Sequence, residues 1–142
     1  MTPPEQPAPT SEILIATAAL ESGTAPYAQQ TRVGHHVVPS DESAARGGGD
    51  TGPSPTELLL AALASCTSIT LRMYADRKGW ELGTVHVDVS FFRAGVAVRI
   101  ERTIRLGAAL APEQLARLGE IADKTPVTKM VMTGVPIATR VQ

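Results

Sequence analysis

The stretch SPTELLLAALASCTSITLRMYADRKG, residues 54–79, decides the fold. Ser54, Pro55 and Glu57 have the spacing of a helix-capping box with proline at the first helical position. Two basic residues precede Gly79, which suits the negative end of a helix dipole followed by a glycine stop. The pattern therefore predicts one helix over about 54–78, roughly 36 Å long.

The first half of this predicted helix is apolar on every side. Residues 58–64 read LLLAALA, and a helix without a polar face is expected to be buried all round. A chain of 142 residues is too small to surround so long a helix. The sequence therefore predicts that a second copy of the chain covers part of it.

Patterns on both sides of the helix indicate strands and one further helix. Alternating or β-branched segments predict strands at 13–17, 27–33, 35–39, 85–91, 96–100 and 135–139. Pro112 opens a second helix that ends before Pro126, with a further helical turn at 127–132. The fold class is α+β, with mainly antiparallel sheets flanking two helices. Residues 1–11 form an extended tail and 12–142 a single domain.

Composition excludes several classes of function. Thirteen basic residues against fourteen acidic ones give no field that draws the chain to nucleic acid or anionic lipid. No apolar run is long enough to span a bilayer, and the N-terminus lacks the features of a secretory signal. We expect a cytoplasmic protein whose one cysteine, Cys66, stays a free thiol. A disulfide framework and a multi-cysteine metal cage are excluded.

The functional interpretation depends on whether Cys66 reacts or only packs. Cys66 lies in mid-helix, and its neighbours on the same helical face include no base and no cation, so a packing role is the plain interpretation. The three histidines have no metal-ligand spacing, and no cofactor motif is present. Arg99, Arg102 and Arg105 are interpreted as the solvated side chains of a strand pair.

Three segments resemble the OsmC/Ohr family, closest to its broad OsmC-like branch. They are GGDTGPSP at 48–55, ELLLAALASCT at 57–67 and MYADRKGW at 73–80. The resemblance implies an intertwined homodimer that reduces hydroperoxides, mostly organic ones. It also implies that Cys66 is the peroxidatic cysteine, which is oxidised to a sulfenic acid.

The chain differs from the family in the residues that would regenerate the oxidised cysteine. The family's Cys-Pro-Val-His motif stands here as Thr125-Pro-Val-Thr128, so the resolving cysteine is absent and an external thiol or dithiol must complete the cycle. The family's activating glutamate falls on Thr56. Arg32 and Glu57 are the candidate residues that assist Cys66, although Glu57 lies on the opposite face of a straight helix.

Three hypotheses follow from these residues. The first is a peroxidase that uses Cys66 alone, resolved by an external thiol. The second is a dimer that has kept the pocket without turnover and binds a small apolar ligand. The third is a structural dimer in which Cys66 only packs.

Overall fold

A computed structural model describes residues 11–142, so the predicted tail at 1–11 lies outside the described residues except for Ser11. The described residues divide into two compact units, the first ending at Pro55 and the second spanning Thr56–Gln142. The elements in chain order are β1 (Ala18–Leu20), β2 (Gln29–Val33), β3 (His36–Ser40), a 3₁₀ turn (Ala44–Arg46), α1 (Pro55–Lys78), β4 (Val85–Ala94), β5 (Ala97–Leu106), α2 (Pro112–Ala122) and α3 (Pro126–Thr133).

The long helix α1 has the bounds that the sequence predicts. It begins at Pro55 and ends at Lys78. Gly79 then adopts φ +68°, and the N–H of Trp80 donates to the carbonyl of Ala75 over 2.9 Å. This is the glycine-terminated helix end that leaves the last carbonyls satisfied.

The first unit contains an antiparallel sheet in the order β1-β2-β3. The predicted hairpin around Gly34 is confirmed: Val33 pairs with His36, and Gly34 has φ +61°. The predicted strand at 13–17 is wrong, because β1 starts at Ala18. Ala18 pairs with Val33, the last residue of β2, so the residues before Ala18 have no partner on that strand.

The glycine-rich loop after β3 is closed by the buried carboxylate of Asp41. Oδ2 accepts from the hydroxyl of Thr51 at 2.7 Å and from its N–H at 3.1 Å, and Oδ1 accepts from the N–H of Glu42 at 2.8 Å. The hydroxyl of Thr51 contributes most to lowering the pKa of Asp41. Gly48 must be glycine, because a Cβ there would overlap the carbonyl of Glu42.

The second unit packs a two-stranded antiparallel sheet, β4-β5, with the helices. Strand β4 alternates as predicted, and one face of β5 carries Ile100, Arg102 and Ile104, with Arg102 opposite Val89. The core consists of buried residues from α1, the following loop and α2: Leu71, Ala75, Leu82, Leu118 and Ala122. The α+β class with antiparallel sheets is confirmed.

The predicted strand at 135–139 is wrong. Residues 134–142 pair with no described strand, and Val135, Ile137 and Val141 are exposed. Within one chain α1 is buried along a single stripe, and the cover of its other sides by a second copy stays a prediction. That stripe is Leu63, Thr67, Leu71 and Ala75.

The opposite side of α1 remains apolar and exposed. Leu59, Ile69 and Met73 are 44%, 52% and 58% exposed. By length and composition α1 is also long and apolar enough to cross a membrane, contrary to the expectation drawn from the 58–64 run. Its buried stripe, however, contributes to the core of the second unit, as in the core helix of a globular fold.

Candidate functional site

Cys66 lies in the middle of α1, on the side of the helix that carries Leu59, Ile69 and Met73. The residue is half-buried and its thiol is free. Its sulfur lies 3.9 Å from the hydroxyl of Thr70, one helical turn further along. Either atom can be the donor in this weak contact. Because the hydroxyl of Thr70 is neutral, it does not act as a base toward the thiol.

The next residue, Thr67, is fully buried and is bonded to an arginine from the sheet. Its hydroxyl donates to the carbonyl of Leu63 over 2.7 Å and accepts from Nη1 of Arg102 over 3.0 Å. The helix that carries Cys66 is therefore tied to β5 at the adjacent position.

Arg102 makes two further hydrogen bonds, to the last residue of α2 and to the first turn of α3. Nη1 donates to the hydroxyl of Thr128 over 2.9 Å, and Nη2 donates to the carbonyl of Ala122 over 2.9 Å. We call Arg102 with Thr67, Ala122 and Thr128 the guanidinium clamp. It joins α1, β5 and both ends of the α2–α3 connection through one side chain. A planar guanidinium with several fixed donors suits such a junction.

Thr125 and Thr128, the two positions where the resemblance expects cysteine and histidine, form a buried hydroxyl pair. Their oxygens lie 2.7 Å apart, and the hydroxyl of Thr125 accepts from the N–H of Thr128 over 3.2 Å. Thr125 is thus the N-cap of α3, with Pro126 at the first helical position. Its side chain is fully buried. The pair has a structural role in which no sulfur takes part.

The charge of Arg102 is only weakly neutralised. Its side chain is 13% exposed, and its carboxylate partner is Asp123, 3.4 Å from Nη2 and 78% exposed. The clamp's other acceptors are two hydroxyls and a carbonyl, which carry no charge. A buried guanidinium is usually matched by a close, buried carboxylate, whereas the carboxylate of Asp123 is exposed and 3.4 Å away.

A cavity of about 450 Å³ lies beside the clamp. Its apolar lining includes Leu63, Ile100, Ile104, Val131 and Met132. Its polar lining is Arg102, Asp123 and Thr128, and Cys66 does not line it. The second unit therefore contains a mainly apolar cavity with one cation at its wall, separate from the thiol.

The structure corrects the interpretation of the three arginines of β5. Arg99 and Arg105 are exposed and form surface ion pairs with Glu101 and Asp88. Arg102 instead points inward, because alternation in a strand places it on the same face as Ile100 and Ile104. That period of two was the signal in the sequence that could have identified it.

The other two candidate residues lie in different surroundings. Glu57 is exposed in the first turn of α1, more than two turns before Cys66. Arg32 is exposed on β2 of the first unit, where it pairs with Ala19 and Val37. Their roles remain predictions. Among the described residues, no three His, Cys, Asp or Glu side chains form a group that could hold a metal ion.

Comparison with known proteins identifies the family of the chain and structures with a similar fold. Residues 47–140 match the family model for the OsmC-like protein. No curated protein matches the sequence. The solved structure of a Psychrobacter arcticus 273-4 protein, named for an osmotic stress induced and detoxification response, is similar with TM-score 0.70 and 17% identity over 84% of this chain and 89% of that one.

Two similar structures are named for organic hydroperoxide resistance. The Legionella pneumophila protein OsmC has TM-score 0.62 and 15% identity, covering 85% of this chain and 91% of its own. The Bacillus subtilis protein OhrB has TM-score 0.58 and 21% identity, covering 86% and 93%. At these identities the likeness concerns the fold.

Proposed function

Because the chain belongs to the OsmC-like protein family, we propose that it is a thiol-dependent peroxidase that reduces organic hydroperoxides at Cys66. The observation that carries the proposal is a half-buried free thiol at the centre of the family's long helix. Within the single chain the sulfur is accessible to a small substrate, whereas a fully buried cysteine would be inert.

The first step oxidises the thiol. The thiolate of Cys66 attacks one peroxide oxygen, an S–O bond forms as the O–O bond breaks, and the alkoxide leaves and takes a proton to become an alcohol. Sulfur is oxidised to a sulfenic acid and the hydroperoxide is reduced.

The second step requires a thiol from outside the chain. Cys66 is the one cysteine in the sequence, and a hydroxyl occupies position 125. An external thiol attacks the sulfenic sulfur, releases water and leaves a mixed disulfide. A second thiol then displaces Cys66 and departs as the oxidised disulfide.

The proposal includes a cytoplasmic homodimer. The exposed apolar side of α1, with Leu59, Ile69 and Met73, would be covered by the partner copy. Since the neighbour of the sulfur is a neutral hydroxyl, Arg32 and Glu57 stay the candidate residues that would assist the thiol. Ile69→Glu should therefore shift the protein towards monomer in sedimentation velocity, whereas Arg77→Glu, at an exposed polar position of α1, should not.

Steady-state peroxide consumption tests the proposed activity. We expect wild type to consume cumene hydroperoxide faster than hydrogen peroxide when a dithiol is supplied, and Cys66→Ser to match the buffer blank. Thr70→Val removes the hydroxyl neighbour of the sulfur and should retain turnover. Equal rates for wild type and Cys66→Ser would overturn the proposal.

A second candidate function is a binding protein without turnover, or a structural dimer. The hydroxyl pair at Thr125 and Thr128 favours it, because both positions of the redox motif now stabilise a helix end. A binding protein predicts no sulfenic acid at Cys66 under mild peroxide and a co-purifying ligand in native mass spectrometry. A structural dimer predicts that Cys66→Ala affects stability alone.

A further inference from the structure

We propose that the cavity beside the guanidinium clamp is a binding site for a small amphipathic carboxylate, such as a medium-chain fatty acid. The carboxylate would bind Arg102 and the aliphatic tail would fill the apolar part of the cavity. The site goes beyond the proposed peroxidase activity, since Cys66 does not line it.

The first argument is the donor set of Arg102. Nη1 donates to the hydroxyls of Thr67 and Thr128. Nη2 donates to the carbonyl of Ala122 and, over 3.4 Å, to the carboxylate of Asp123. Among residues 11–142 no acceptor is bonded to the Nε–H. The Nε–H and one Nη2–H of a guanidinium point to the same side and form the edge that binds a carboxylate with two parallel hydrogen bonds. The carboxylate that Nη2 contacts, that of Asp123, lies 3.4 Å away.

The second argument is that the positive charge of Arg102 lacks a buried counter-ion among the described residues. A guanidinium that is 13% exposed has a partner carboxylate that is 78% exposed and can turn into solvent. A ligand carboxylate that replaces Asp123 would give the cation a desolvated counter-ion with better geometry. The site therefore favours an anion and disfavours an amine.

The third argument is the shape and chemistry of the cavity. Its volume of about 450 Å³ falls in the range of small-molecule sites, and such sites combine apolar walls with a few polar groups. Apolar side chains from α1, β5 and α3 line it (Leu63, Ile100, Ile104, Val131 and Met132), and the polar groups lie together at the clamp. A ligand with one anionic end and one aliphatic end matches this division.

Titration calorimetry with three probes tests the ligand class. We expect the full-length protein to bind octanoate at least about tenfold more tightly than 1-octanol, which lacks the charge, and than acetate, which lacks the tail. Equal affinities for octanoate and 1-octanol would overturn the role of Arg102. Equal affinities for octanoate and acetate would overturn the role of the cavity.

Matched variants locate the site without disturbing the clamp. A side chain at Gly119 meets no atom within 4 Å of its Cβ, and Gly119 lines the cavity, so Gly119→Leu should occupy the tail position. We expect octanoate affinity to fall by about tenfold or more, whereas Ala116→Leu, on the same helix but outside the lining, should leave it unchanged. Equal effects of the two variants would contradict the location.

The exposed carboxylate of Asp123 provides a test in which octanoate should bind more tightly. Asp123→Asn removes a negative charge that competes for Nη2, so octanoate should bind about threefold more tightly. Weaker binding would contradict the proposed displacement. Peroxide consumption measured on the same variants keeps this proposal separate from the proposed activity, because Gly119→Leu should leave that activity unchanged.

Discussion

Arg102 on β5 donates a 2.9 Å hydrogen bond to the hydroxyl of Thr128 on α3, and the same nitrogen donates to Thr67 on α1 over 3.0 Å. One guanidinium thus connects the helix that carries Cys66 to the helix that begins at the substituted redox motif. Thr128 is 5% exposed and Thr67 is fully buried. These are interior hydrogen bonds, for which geometry matters more than at a solvated surface.

The first prediction concerns the shape of the guanidinium. Arg102→Lys keeps the charge but cannot reach two hydroxyls and a carbonyl at once, so at least one buried acceptor loses its donor. We expect the free energy of unfolding to fall by about 1–3 kcal/mol in urea denaturation. Arg105→Lys is the control, because Arg105 is on the same strand and forms a surface ion pair with Asp88. That change should cost less than about 0.5 kcal/mol. Equal losses would contradict the clamp.

The second prediction concerns the N-cap of α3. Thr125→Ala removes the acceptor for the N–H of Thr128 and the partner of its hydroxyl, both in the interior. The expected loss is about 1–2 kcal/mol in the same assay, and Thr125→Ser should recover most of it. Thr133→Ala removes an exposed hydroxyl bond at the other end of the helix and should have a smaller effect. If both alanine variants lose the same amount, the cap has no special role.

The third prediction concerns acid stability and Asp41. The hydroxyl and N–H of Thr51 lower the pKa of Asp41 in the folded state. A lowered folded pKa means that the ionised group stabilises the fold above the unfolded value of about 3.9. This contribution is lost as the pH falls through the lower, folded pKa. NMR titration should give a pKa for Asp41 below the unfolded value in wild type and a higher one in Thr51→Val. An unchanged pKa in the variant would contradict this account of the loop.

Features with local causes could be predicted from the sequence. The bounds of α1 follow from Pro55 and Gly79, and the hairpin around Gly34 follows from its turn. The predicted strand at 135–139 is wrong, because alternation of apolar residues does not by itself provide a strand to pair with. The all-round burial of 58–64 depends on a second copy and stays a prediction. The prediction that the side chain of Arg102 is solvated is wrong for a different reason. Alternation indicates the face of a strand but not the hydroxyls and carbonyl that an inward arginine meets there.

The parts of the candidate site that depend on residue identity could be predicted, and the parts that depend on tertiary contacts could not. The sequence identifies Cys66 as the one thiol and Thr125 as the substituted position, since both are matters of residue identity. The cavity and the weak neutralisation of Arg102 arise from β5, α2 and α3 meeting in space. No local pattern encodes such a meeting, because the segments are distant along the chain.

Reduction of a hydroperoxide by Cys66 as a single thiol leaves a product that can be observed on the protein itself. Intact-protein mass spectrometry after one equivalent of cumene hydroperoxide, without added thiol, tests this reaction most directly. We expect one added oxygen at Cys66 that dimedone traps, a second oxygen with excess peroxide, and reversal of the first adduct by an external dithiol. A wild-type protein that gains no oxygen at Cys66, or the same gain in Cys66→Ser, would contradict the proposed activity.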